Sequence, residues 1–187
     1  LAFATVFSKI ELMKLLIGFL IFTTFVCSAQ ESSPFPQFDL KQLDDFLPGK
    51  SITEITKKKG PGETINLKLG LNILKFHLTH QAYKFPVLVQ FSKDKVLDMY
   101  TRLPSYFLHD IFHQSLINRY GKQKTYELKD STAIYQWNGN DYTQVYSGAC
   151  SITCYPIFYT AIEKNLNSAP PNYRSIMDIL RLNQETY

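Results

Sequence analysis

Apolar and polar positions change their spacing repeatedly along the chain, and each spacing predicts an element. Leu15 to Val26 is an apolar run broken only by Gly18, Thr23 and Thr24. After a polar stretch, Asp39 to Phe46 predicts a short helix ended by Pro48 and Gly49. Ser51 to Lys58 predicts another, with Ser51 and Glu54 at capping-box spacing. Ile65, Leu67, Leu69, Leu71 and Ile73 then alternate as on a strand; near Gly70 to Asn72 the phase shifts to Leu74, Phe76 and Leu78, which predicts a bend or bulge. Phe85 to Phe91 and Val96 to Thr101 predict a hairpin around Ser92 to Lys95, with Pro86 near a strand start or on an edge. Leu108, Ile111, Phe112 and Leu116 return to helical spacing within Ser105 to Tyr120, and Gly121 ends that helix. Ala133 to Trp137 and Tyr142 to Tyr146 flank Asn138-Gly139, a strong hairpin signal. Ile157 to Ile162 is a further strand, Asn165 to Asn172 a linker, and Ser175 to Leu182 a closing helix.

The order helix, glycine, strand, hairpin thus occurs twice. Lys58 to Lys68 aligns with Arg119 to Lys129 at an offset of 61, with Gly, Thr, Leu and Lys recurring. Ile55 falls on Leu116 and Val96 on Ile157 at the same offset. The fold class expected is α+β, with two related α-β-β-β halves and antiparallel sheet, at residues 51–103 and 104–163. Residues 30–50 precede them with one short helix, and residues 164–187 follow as linker and helix. A unit of roughly 55 residues is marginal alone, so the halves are expected to share a core. This order, with a glycine after each helix, resembles the small exported domains of the outer-membrane assembly lipoprotein type and their tandem form in β-lactamase-inhibitor proteins, over about residues 51 to 162. The resemblance implies a non-catalytic protein that presents a sheet face to another protein. The chain departs from the inhibitor pattern in having one close cysteine pair in one half only, so β-lactamase inhibition is not carried over.

The early apolar run changes the picture of where the protein works. Met13 and Lys14 precede it and Cys27, Ser28 and Ala29 follow, the order of a secretory signal spanning 13–29. Cleavage after Ala29 would start the mature chain at Gln30. The run is about 12 residues, too short for a hydrocarbon core that needs about 20, so no stable membrane span is expected after processing. Acylation of Cys27 would call for a smaller residue than Val26 before it. Residues 1–12 are read as the product of a mis-called start codon. The expected location is periplasmic or secreted.

Without the leader, 18 basic and 15 acidic side chains remain, a net charge of +3. That is too weak to argue for nucleic acid. The concentrated Lys57-Lys58-Lys59 fits a solvated helix C-terminus instead. Cys150 and Cys154 are the remaining cysteines. An even pair in an exported protein points to a disulfide. On an extended strand the two would lie about 13 Å apart, so the chain between them must turn back, most simply as a hairpin tip. A redox or metal pair is the alternative, but redox pairs usually read C-x-x-C and zinc would need two further ligands.

Candidate chemistry is sparse. His109 and His113, at i and i+4, share one side of a helix as in H-E-x-x-H proteases, but Asp110 replaces the glutamate and no third ligand announces itself among Glu127, Asp130 or Glu163. Both histidines lie at the border of the apolar face. His77 and His80 are expected in solvent. No serine elbow, Walker loop or dinucleotide fingerprint is present, and no cofactor is expected. Tyr135, Trp137, Tyr142 and Tyr146 can meet across the Asn138-Gly139 hairpin, either as buried core or as a recognition surface for protein or sugar. The function expected is non-enzymatic binding of another protein or an envelope component. An exported metal-dependent hydrolase using His109 and His113 is the alternative.

Overall fold

The computed structural model of the chain describes residues 38–184 apart from 69, 106, 107, 151 and 152. The expected signal segment 13–29, the twelve residues before it and residues 30–37 lie outside the described residues. A 3-10 helix at Leu40–Phe46 comes first, then α1 (Ile52–Lys59), β1 (Glu63–Ile65), β2 (Asn72–His80), β3 (Tyr83–Ser92) and β4 (Lys95–Leu103). The second half repeats the order with α2 (Leu108–Tyr120), β5 (Thr125–Lys129), β6 (Thr132–Asn138), β7 (Tyr142–Cys150) and β8 (Cys154–Glu163), before a short 3-10 turn and α3 (Ile176–Gln184). The fold is α+β, as the spacing predicted, but each half holds four strands instead of three. Among the described residues no helix is long and apolar enough to cross a membrane.

One antiparallel sheet runs β1-β2-β3-β4-β8-β7-β6-β5. The halves therefore join edge to edge through β4 and β8, with Tyr100 opposite Thr160 and Met99 opposite Ala161. The two helices share one face of it. Ile52 and Ile55 of α1 and Leu108, Phe112 and Leu116 of α2 enter a single core with Phe76, Val87, Val89, Met99, Tyr146 and Tyr159. A buried side chain of this size contributes roughly 1.5–3 kcal/mol, so the shared core supplies burial that neither half has alone.

Local chemistry explains the helix ends. The Ser51 hydroxyl accepts from the Glu54 N–H at 3.2 Å, the cap that the sequence predicts. It also donates to Asp94 at 2.6 Å, and Asp94 accepts from the Thr53 N–H at 3.0 Å, so the β3–β4 turn holds the start of α1. Gly60 and Gly121 end the two helices at φ +85° and +78°, a conformation that costs other residues energy.

Two expectations need correction. The alternation from Ile65 to Ile73 is not one strand. Ile65 pairs directly with Ile73, and the intervening chain reverses through a turn in which the Gly70 N–H bonds the Leu67 carbonyl at 2.9 Å. Side chains spaced by two along a reversing loop mimic a strand when read in one dimension. His80, expected in solvent, is 7% exposed. The chain before α1 folds back so that the Phe38 ring covers it at 4.3 Å, and burial pushes its pKa down. His77 on the opposite side of β2 is exposed.

The C-terminal helix covers the other face of the sheet through a buried polar network. Gln90 donates to Asp98 at 3.0 Å and to the Arg174 carbonyl at 2.7 Å, while the Tyr173 hydroxyl donates to Asp98 at 2.6 Å. Ile176 and Ile179 are fully buried beyond it.

Candidate functional site

The second half carries the aromatic residues that the sequence singled out. Cross-strand register sets Tyr135 opposite Tyr146, Trp137 opposite Gln144, and Tyr126 opposite Tyr135. These side chains therefore stand on the face that α2 covers. The helix does not cover them equally. Tyr146 is 0% and Trp137 4% exposed, inside the core, while Tyr135 and Tyr142 are half-buried at its margin. The four do not form one exposed patch, because α2 lies over the centre of it. The indole N–H of Trp137 donates to the Gly121 carbonyl at 2.8 Å, which fastens β6 to the end of α2.

His109 and His113 lie on the side of α2 that faces this row. Nδ1 of His109 is 2.5 Å from the Tyr146 hydroxyl. His113 sits 4.2 Å from the Tyr135 ring and stacks on Tyr146 at 5.6 Å, centroid to centroid. Burial lowers both imidazole pKa values, more than the nearby Asp110 carboxylate raises them. Neutral imidazoles suit metal binding, but one nitrogen of His109 is already committed to Tyr146. Among the described residues no group of three or more His, Cys, Asp or Glu side chains is placed to hold a metal ion. Glu127, Asp130 and Glu163 do not supply a third ligand to the pair. The geometry is that of a packed helix–sheet contact.

Cys150 and Cys154 face each other at the β7–β8 turn with their Cα atoms 3.9 Å apart and form the expected disulfide. A disulfide fits an oxidising compartment.

Two surfaces beside the aromatic row were not singled out by the sequence. β5 is one of the two outer strands of the sheet, and every one of its residues is exposed. Tyr126 and Leu128 stand on its helix-side face, 55% and 61% exposed, with the Tyr126 ring 4.9 Å from that of Tyr135. At the opposite end of β6, a groove of about 370 Å³ is lined by Tyr120, Lys122, Trp137, Asp141, Tyr142 and Gln144, among others. Gln144 is 1% exposed, and its Oε1 has no hydrogen-bond partner among the described residues. The signals for both lay in the pattern. Tyr126 and Leu128 occupy the places of Ile65 and Leu67 in the repeat, and Gln144 is a polar residue in the inward phase of Tyr142-x-Gln144-x-Tyr146.

No protein-family model matches the chain, and no curated protein sequence matches it. Among solved structures the chain is similar to a DUF4309 family protein, YjgB, from Bacillus subtilis. The two share 8% sequence identity over 62% of this chain and 79% of that one, with a TM-score of 0.42. The name is not that of the assembly-lipoprotein or inhibitor proteins that the sequence pattern resembles, and a match of this identity carries nothing about function.

Proposed function

We propose that the chain is an exported, non-enzymatic binding protein that recognises another protein of the envelope or its surroundings through the second half of its sheet. The observation that supports this most is the pair Tyr126 and Leu128, two large apolar side chains exposed on an edge strand whose outer side pairs with no strand among the described residues. An edge strand offers a row of free backbone donors and acceptors to a partner strand. Tyr126 and Leu128 would give such a partner an apolar contact, and the half-buried Tyr135 extends it inward. Trp137 and Tyr146 hold that strand pair in place from the core, and Tyr142 lies further along the row. Glu127 and Lys129 alternate to the other face, where charges disfavour indiscriminate pairing. The Cys150–Cys154 disulfide supports a periplasmic or secreted location.

The test is site-specific photocrosslinking in the native host. A photoreactive amino acid at Tyr126 is expected to give a discrete adduct, and one at Lys57 in α1 is not. The adduct should vanish with Leu128→Lys while the melting temperature stays within about 2 °C, as for a surface change. No adduct at Tyr126, or the same adduct from Lys57, would overturn the reading.

A further inference from the structure

We propose that the groove between the end of α2 and the β6–β7 hairpin is a saccharide-binding site built around Gln144. This site is separate from the β5 edge and does not depend on it.

The two halves show what is unusual here. At the repeat offset, Phe76 corresponds to Trp137. Phe76 stands opposite Val87 on the neighbouring strand; Trp137 stands opposite Gln144. In the first half the pair is sealed: Val87 is fully buried and the Phe46 ring packs on Phe76 at 5.3 Å. In the second half the aliphatic side chain is replaced by an amide, and Trp137 lines an open groove instead. A buried amide oxygen without a partner is costly, and cores exclude such groups unless something else selects them.

The lining selects the ligand class. Tyr120 and Tyr142 are half-buried and leave ring surface to the groove. Asn138, Asn140 and Asp141 add amides and a carboxylate at the hairpin, and Lys122 and Lys124 stand at the other side. A side-chain amide offers a donor at one end and an acceptor at the other. The unpartnered end of Gln144 is its acceptor oxygen, so a ligand that satisfies it must donate a hydrogen bond. Sugar hydroxyls do so, and the C–H face of a sugar ring packs on tyrosine. A phosphate or carboxylate ligand only accepts and would leave the amide oxygen unpaired. The volume, about 370 Å³, lies within the range of small-molecule sites.

Trp137 is the single tryptophan of the chain, so its fluorescence reports from this groove alone. The experiment is a glycan array probed with the labelled full chain, followed by titration of the best-bound oligosaccharide against Trp137 emission. The expected result is a saturable emission change that weakens at least tenfold in Gln144→Leu and in Tyr142→Ala. Gln144→Leu should also melt about 2–4 °C higher, because it removes an unpaired buried amide oxygen. A lower melting temperature would make the amide a structural group and overturn the proposal. So would an array without a bound glycan, or binding that both variants leave unchanged. Because Gln144→Leu leaves β5 intact, Tyr126 crosslinking in that variant tests the protein-partner reading independently.

Discussion

Nδ1 of His109 and the hydroxyl of Tyr146 lie 2.5 Å apart, joining the first turn of α2 to the middle of β7. The contact decides how the histidine pair is to be understood. His109 uses a ring nitrogen to satisfy a buried phenol, and His113 completes the stack against Tyr135 and Tyr146. Spacing on a helix brings two imidazoles to one side; the sheet beneath determines what they meet there.

This packing makes stability depend on acid. Burial lowers the folded-state pKa of His109 and His113 below 6.5, so the unfolded chain takes up protons first as the pH falls. Their contribution is complete above 6.5 and is lost as the pH drops towards the folded-state values. His113→Phe, which replaces one imidazole with a ring of similar shape, is expected to reduce the acid-side loss. Denaturant unfolding of both proteins at a series of pH values checks this, and an unchanged slope below 6.5 would count against it.

Asp98 acts with the opposite sign. Burial raises its pKa from 3.8 to about 7, against the lowering effect of the bonds from Tyr173 and Gln90, and Asp178 raises it further. The folded carboxyl keeps its proton where the unfolded one has lost it. Its contribution is therefore complete below 3.8, falls as the pH rises towards about 7, and is flat above that. The difference corresponds to about 4 kcal/mol at most. Asp98→Asn keeps an acceptor for Tyr173 and Gln90 and has no charge to bury. It is expected to be the more stable protein at about pH 8 and to lose the advantage near pH 4. Equal stability of the two proteins at about pH 8 would contradict the assignment.

Gly60 and Gly121 provide a test of the two-half architecture. Each has a positive φ, and each has open space where a side chain would sit. Gly60→Ala and Gly121→Ala should therefore each cost stability through backbone strain alone, about 1–3 kcal/mol. Equilibrium unfolding of the two variants gives the comparison directly. A large cost at one position and none at the other would break the equivalence.

The disulfide closes a small ring at one end of the sheet, so its loss should be felt modestly. Cys150→Ser with Cys154→Ser is expected to cost about 2 kcal/mol and to leave the fold unchanged by circular dichroism. Reduction of the wild type should lower the unfolding free energy by the same amount, and loss of folding on reduction would show that the bridge does more than close a turn.

Much of the second half could be read from residues alone. Asn138-Gly139 marks its hairpin, Gly121 the end of its helix, and the Cys150–Cys154 spacing its final turn. In the first half the same reading failed where the chain reversed between Leu67 and Gly70, because a loop with alternating leucines carries the period of a strand. It failed again at His80, which alternates into the core only because Phe38, more than forty positions away, returns to cover it.

The division follows from the range of the forces involved. Helix caps, turn residues, inward and outward phase and the closing of a short cysteine ring depend on neighbours within a few positions, and the amino-acid order by itself determined them. That β4 and β8 join the halves, that α2 shelters Tyr146 and leaves Tyr126 bare, and that Gln144 faces a groove where Val87 faces a core were decided only in the tertiary structure. Those outcomes depend on which distant surfaces meet, and burial rewards the meeting without regard to separation along the chain.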